Sequence, residues 1–119
     1  METVNLAAKF ARFDDLWKPK VIADLNGQWV KVAKLKGEFV WHQHEDQDEL
    51  FLVVRGRLRI DLRVGALELG EGELAVIPAG VEHRPVAAEE AWVLLIEPAG
   101  TLNTGNVRSE RTVEPLEWI

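Results

Sequence analysis

The 119-residue chain contains no cysteine and no tyrosine, one methionine and three histidines. Without cysteine there is no thiolate metal site, no thiol nucleophile and no disulfide scaffold. Without tyrosine no phenol can serve as a catalytic acid. Long apolar runs are also missing: the longest, Ala91 to Ile96, is far short of the ~20 residues a membrane-spanning helix needs. The first residues, METVNLAAKFARF, start acidic and hold no extended apolar core, so a secretory signal is not expected and a cytoplasmic location is. Positive charge is in deficit. A formal net charge of −6 argues against a nucleic-acid partner, although Arg55, Arg57, Arg59 and Arg63 lie close together in sequence.

What is present fits one ordinary globular domain over residues 1–119, with 47% hydrophobic and 29% charged residues. Leu6, Phe10, Phe13 and Trp17 recur at helical spacing behind Asn5, a good N-cap, and ahead of Pro19. A short amphipathic helix within residues 1–20 is expected, its apolar face docking on the rest as core. The period then changes. Two apolar runs, VIADL and QWVKVAKL, flank Asn26-Gly27, a pair that tolerates the positive φ angles of a hairpin turn. Further strands are expected from Glu38 to His44 and from Leu50 to Val54. Another falls in LRIDLRV, where Leu58, Ile60 and Leu62 alternate with charged residues. Glycines punctuate GALELGEGELAVIPAG, and AWVLLIEP ends at Pro98. About eight to ten short strands with no intervening helix imply an all-β sandwich or barrel over residues 21–98. Residues 99–119 read as an irregular arm whose apolar end, Leu116, Trp118 and Ile119, docks on this domain or on a second subunit.

The histidines are not scattered. His42 and His44, two apart in an extended segment, project to the same side, as neighbouring ligands of one metal must. Glu49 comes after a short acidic bend and opens the next strand, placed to return opposite the pair if the two strands are antiparallel neighbours. The intervening acids read as a solvated turn. His83 lies in IPAGVEHRP, where Pro78 fixes one φ and Gly80 permits an unusual one. Three imidazoles and a carboxylate suit one divalent first-row transition metal (iron, manganese, nickel, cobalt or zinc) and not calcium or magnesium. Spacing alone leaves open two exposed strand histidines and an unrelated loop histidine.

Two motifs go further. Gly37, His42, His44, Glu49 and Gly56 match the order of the first cupin motif, with the leading glycine one residue nearer the histidines than usual. Gly72, Pro78, Gly80 and His83 match the second, with Ala87 where an asparagine usually stands. From about Val21 to Ile96 the chain resembles the cupins, and as a whole it is similar to the small single-domain members often labelled mannose-6-phosphate-isomerase-like. The resemblance implies a double-stranded β-helix, or jelly-roll barrel, commonly dimeric. It implies that His42, His44, Glu49 and His83 hold a metal in the barrel mouth. It also implies that Glu49 can loosen and act as a base.

Fold does not fix function. The leading expectation is a metal-dependent oxygenase or related lyase acting on a small molecule. Glu38, Val40, Phe51 and Val53 share the phase of the ligands and are expected to line the pocket. A sugar or sugar-phosphate isomerase is the alternative and needs a cation for the phosphate, for which Arg84 is best placed. A non-catalytic small-molecule-binding barrel is the third reading. A homodimer is expected, because a jelly roll leaves open edges and because Trp17, Trp29 and Trp118 exceed what a small interior can hold.

Overall fold

The structure, a computed structural model, describes all 119 residues. One short helix, α1 (Leu6–Phe10), precedes eight strands: β1 (Lys20–Leu25), β2 (Gln28–Glu38), β3 (Glu49–Arg55), β4 (Leu58–Leu62), β5 (Ala66–Leu69), β6 (Leu74–Ile77), β7 (His83–Pro98) and β8 (Glu117–Trp118). No helix is long and apolar enough to cross a membrane.

All pairings are antiparallel except β1 with β8. The 16-residue β7 organises the barrel. Its first part pairs with β4 and the end of β2, and its second part with β2 and β3. Between the parts the register shifts and Ala88, Glu89 and Glu90 are exposed. A strand that bulges this way bends, so one chain segment serves both layers. The β1–β2 hairpin turns at Asn26-Gly27, with φ of 52° and 78°, as the Asn-Gly pair requires.

Alternation sets the core. On β3, Glu49, Phe51 and Val53 face inward, and on β4 Leu58 and Ile60 do. On β7 the inward set is His83, Pro85 and Ala87, then Ala91, Val93, Leu95 and Glu97. Each fully buried large apolar side chain contributes about 1.5–3 kcal/mol. Trp92, Leu94 and Ile96 therefore take the outer face, where Trp92 stacks on Phe10 with ring centroids 4.8 Å apart.

The N-terminal segment departs from the helical reading. The helix ends at Phe10, capped by the Asn5 side chain accepting from the Ala8 N–H at 2.9 Å. Phe13 and Trp17 lie beyond it. The Leu16 backbone bridges to Lys34, and Trp17, at φ 61°, turns its indole into the barrel core, stacked 4.8 Å from Phe39. Its Nε1–H donates to the Lys36 carbonyl at 2.8 Å. Packing against β2 outweighs the short helix's weak local preference. Trp29 and Trp118 meet edge to face at 5.4 Å within the chain. The three tryptophans thus have partners here and do not by themselves call for a second subunit.

Candidate metal centre

The segment expected as a strand from Glu38 to His44 is not one, because β2 ends at Glu38. Beyond that point the chain carries a single two-way bridge: His42 N–H to the His83 carbonyl at 3.0 Å and His83 N–H to the His42 carbonyl at 2.9 Å. The ladder does not continue. On one side Pro85 has no N–H to give the Val40 carbonyl, which accepts from His42 Nδ1 instead. On the other the His44 carbonyl accepts from Gly80 in the turn, while the opposite edge of Gln43 pairs with Asn106 of the C-terminal arm. His42 and His44 still lie together, with ring centroids 5.1 Å apart. Glu49 does not arrive by pairing with their segment. Its strand, β3, pairs with β6 and β7 instead, and the barrel's curvature brings the carboxylate under the histidines.

The Pro78–Gly80 turn joins the pieces. Gly80, at φ 80°, donates its N–H to the His44 carbonyl at 2.8 Å. The Ala79 N–H donates to Asp48 Oδ1 at 2.8 Å. Asp48, in the acidic bend, thus holds the turn that delivers His83.

His42, His44, Glu49 and His83 are all buried, with one ligand atom of each within 4.8 Å of the others. Metal–nitrogen bonds of about 2.1 Å put ligand atoms at most about 4.2 Å apart, so the widest separation in the group exceeds a coordinating one by no more than about 0.6 Å. His42 Nδ1 and His83 Nδ1 each lie 2.9 Å from a backbone carbonyl, of Val40 and Val81. Donation to those carbonyls fixes the ring orientations and turns both Nε2 atoms to the cluster, where His83 Nε2 pairs with Glu49 Oε1 at 3.2 Å. His44 Nε2 is buried without a hydrogen-bond partner, 3.2 Å from Glu49 Oε1 but misaligned with it. An orphaned imidazole nitrogen beside a carboxylate is what a metal would satisfy, and the N/O donor set fits a first-row ion.

Burial, with help from nearby His83, lowers the His42 pKa to about 4, so this ring is neutral at physiological pH, as a metal ligand must be. For Glu49, burial works to raise the pKa, but the His44 and His83 rings beside it together outweigh burial and hold the carboxyl well below the usual range.

Beside the cluster is a cavity of about 40 Å³, reached by His42 and Glu49. Its walls are mostly apolar, from Trp17, Leu35, Phe39, Phe51, Val93 and Leu95. That is room for about three waters, well below the ~150 Å³ cavity known to hold benzene. Of the expected pocket residues, Phe51 lines this cavity. Val53 is fully buried in the core, and Val40 is half-buried and serves through its carbonyl. Glu38 and Arg84 face elsewhere. Arg84 donates to Asp61 at 2.8 Å and to Glu38 at 3.1 Å on the outside of the barrel, where Arg59 also holds Asp61. Both lie on the outward phase of their strands, opposite to His83 and Pro85.

Sequence reasoning missed Glu97, Lys31 and Trp17. Glu97, 2% exposed, lines the cavity, and its Oε1 accepts from Lys31 Nζ at 2.7 Å in a fully buried pair. Burial, followed by the neighbouring Glu49 carboxylate, pushes Glu97 well above its ordinary pKa. Glu97 continues the inward set Ala91, Val93, Leu95, a phase that the sequence of the strand does not itself assign to either face.

A small antiparallel barrel with three histidines and a glutamate converging inside it defines a class of protein. A cupin-domain family profile matches residues 28–97. The chain belongs to the cupin domain family. It is 39% identical over 64 residues to the uncharacterized protein YdbB of Bacillus subtilis (strain 168), an alignment covering 53% of this chain and 57% of that one. The match thus spans just over half the relative's length. A cupin-2 domain containing protein from Shewanella frigidimarina NCIMB 400 superposes with a TM-score of 0.79 and 47% identity, over 80% of this chain and 93% of that one. Hydroquinone 1,2-dioxygenase PnpCD, in complex with Cd2+ and 4-hydroxybenzonitrile, shares the fold at a TM-score of 0.67 and 19% identity, over 77% of this chain and 70% of that one.

Proposed function

We propose that this cupin is a metal-dependent enzyme acting on a small molecule, of oxygenase or related lyase type. His42, His44, Glu49 and His83 would hold one divalent first-row metal per chain, which would supply Lewis acidity and, for a redox-active ion, electron transfer. The observation that carries the reading is the cluster itself: four buried ligands, two locked by backbone carbonyls, opening on a cavity. On a six-coordinate metal, four protein ligands would leave two positions for water or substrate. The chain's own residues then divide the work. The apolar wall excludes water, and Glu49 is the one carboxylate both in the ligand set and on the cavity, so it is the candidate base. The likeness to the dioxygenase supports the barrel alone.

The isomerase alternative loses its anchor. Arg84 is engaged by Asp61 and Glu38, and the cavity presents two buried carboxylates, Glu49 and Glu97, which oppose a phosphate. A non-catalytic barrel would share the metal group and differ only in turnover. A homodimer belongs to the same reading, supported now by β6, which pairs only with β3 and leaves Leu74 and Val76 exposed. Light scattering at micromolar concentration checks it, and a monomeric mass removes it.

The test is elemental analysis of untagged protein purified without chelators or a nickel column, beside His42→Ala. Close to one first-row metal per chain, lost in the variant, is the expected result. Native protein that carries no metal and takes none up on addition would end the reading.

A further inference from the structure

The buried Lys31–Glu97 pair is not explained by stability. Replacing such a pair with apolar residues of similar volume is often neutral or stabilising, because desolvating two charges offsets their attraction. The pair stands at one place only, where β2 and β7 form the cavity wall. It is also half-used: Lys31 takes Glu97 Oε1, while Oε2 is buried with no hydrogen-bond partner. That oxygen lies 4.0 Å from His44 Nε2, at the edge of the ligand group. The other polar side chain on the wall, Asn103, is spent on the arm. Its Nδ2 donates to the Arg111 carbonyl and its Oδ1 accepts from the Val113 N–H. Lys31 favours the carboxylate form of Glu97 against burial and the neighbouring Glu49, and in that form Oε2 is an unpaired acceptor between the candidate ligands and an otherwise apolar wall.

We infer that Glu97, anchored by Lys31, is the ligand-positioning residue of the cavity, and that its free oxygen selects small molecules carrying a hydroxyl or amide N–H donor at the end that meets the metal group. The inference rests on the metal reading above and deepens it by naming the substrate class. An unpartnered buried acceptor penalises any ligand that brings no donor and repels one that brings a second carboxylate. The cavity's size restricts what enters to a small protic group, whether a whole molecule or the tip of a larger one.

The test uses the cobalt(II)-loaded chain and two probes of similar size, acetohydroxamate, which carries an N–H donor, and acetate, which carries none. Binding is read from visible cobalt absorption, and cobalt per chain is measured alongside. Wild type is expected to bind acetohydroxamate more tightly. In Glu97→Gln the amide oxygen stays on Lys31, so an N–H₂ replaces the free acceptor. The acetohydroxamate-to-acetate preference should fall by about tenfold or more, with cobalt occupancy unchanged. Lys31→Met/Glu97→Leu, which leaves no unpaired charge, should lose most of the preference. The same preference in wild type and in both variants at full occupancy would overturn the inference. Loss of cobalt in Glu97→Gln would overturn it too, making Glu97 a fifth ligand. Wild type that takes up no cobalt fails at the occupancy measurement, which marks the metal reading itself as the failure.

Discussion

Gln43 and Asn106 hold each other twice: the Asn106 N–H donates to the Gln43 carbonyl at 2.9 Å, and the Gln43 N–H donates to Asn106 Oδ1 at 2.9 Å. Gln43 sits between His42 and His44, so the C-terminal arm clamps the segment that presents two of the four candidate ligands. Gly105 makes the clamp possible. At φ 56° it approaches so closely that a Cβ there would run into the Gln43 carbonyl and stand 3.1 Å from His42 Cδ2. Gly105→Ala should therefore weaken metal binding at least tenfold, whereas Asn106→Ala should cost about 1 kcal/mol of stability with a smaller effect on metal. Metal titration and thermal melting of the two variants separate these effects. A Gly105→Ala protein that binds metal as tightly as the parent would refute the clamp.

Acid should weaken the metal-free protein in a defined window. The His42 pKa is about 4 in the fold and about 6.5 in the unfolded chain, so between those values the unfolded chain binds more protons. The His42 contribution is then full above pH ~6.5 and falls as pH drops towards 4, by about 3 kcal/mol in all, an order-of-magnitude figure. Glu97, whose pKa is raised, works in the opposite direction above pH ~4.5, so the difference between wild type and a His42 variant isolates the His42 share. Glu49, whose pKa is lowered, adds its loss only below about 4.5. Urea midpoints of the metal-free protein from pH 7.5 to 4, beside His42→Asn, check this. The variant should lose the His42 share of the slope between pH 6.5 and 4.5.

Metal should stabilise the fold by mass action. At a free concentration one hundred times the dissociation constant the gain is about 2.7 kcal/mol, or roughly 10 °C in melting temperature for a domain of this size. A chelator should reverse it, and His83→Ala should abolish it. Differential scanning with manganese, cobalt or zinc would show it directly. An equal shift in His83→Ala would mean the metal acts elsewhere.

Breaking the buried ion pair should hurt more than removing it. Lys31→Met alone leaves Glu97 buried and unpaired and should cost about 3–5 kcal/mol, while Lys31→Met/Glu97→Leu should lie within about 1 kcal/mol of wild type or above it. Denaturant unfolding of the singles and the double gives the coupling. Additive losses would show that the two side chains do not act as a pair.

Apart from the Glu38–His44 segment, which is not a strand, the strands around the site were readable because their signals are local. Alternation in LRIDLRV, the Asn-Gly turn and the proline-glycine approach to His83 each depend on a few neighbouring residues. The choice of face was not. Nothing within AWVLLIEP distinguishes the phase of Trp92 from that of Val93. The barrel decides it by placing Phe10 on the outside of Trp92, and with that decision Glu97 turns inward. Trp17 and Arg84 were misplaced for the same reason. Helical spacing put Trp17 on the docking face of a helix, but the free energy of burying an indole on Phe39 is realised only once β2 exists to receive it. Arg84 is adjacent to a ligand in sequence, and adjacency on a strand means the opposite face.

The all-β class was legible in the residues alone, and the barrel and the candidate ligand set in the family resemblance those residues carry, because periodicity, turn chemistry and motif spacing are properties of short segments. The surroundings of those ligands were settled by the folded chain: the Lys31–Glu97 pair, the Trp17 wall and the arm that clamps Gln43. These join residues 66, 22 and 63 positions apart, Lys31 to Glu97, Trp17 to Phe39 and Gln43 to Asn106. Contacts at that range exist only after the chain has closed on itself, when the cost of ordering each loop is repaid by burial that no local pattern records.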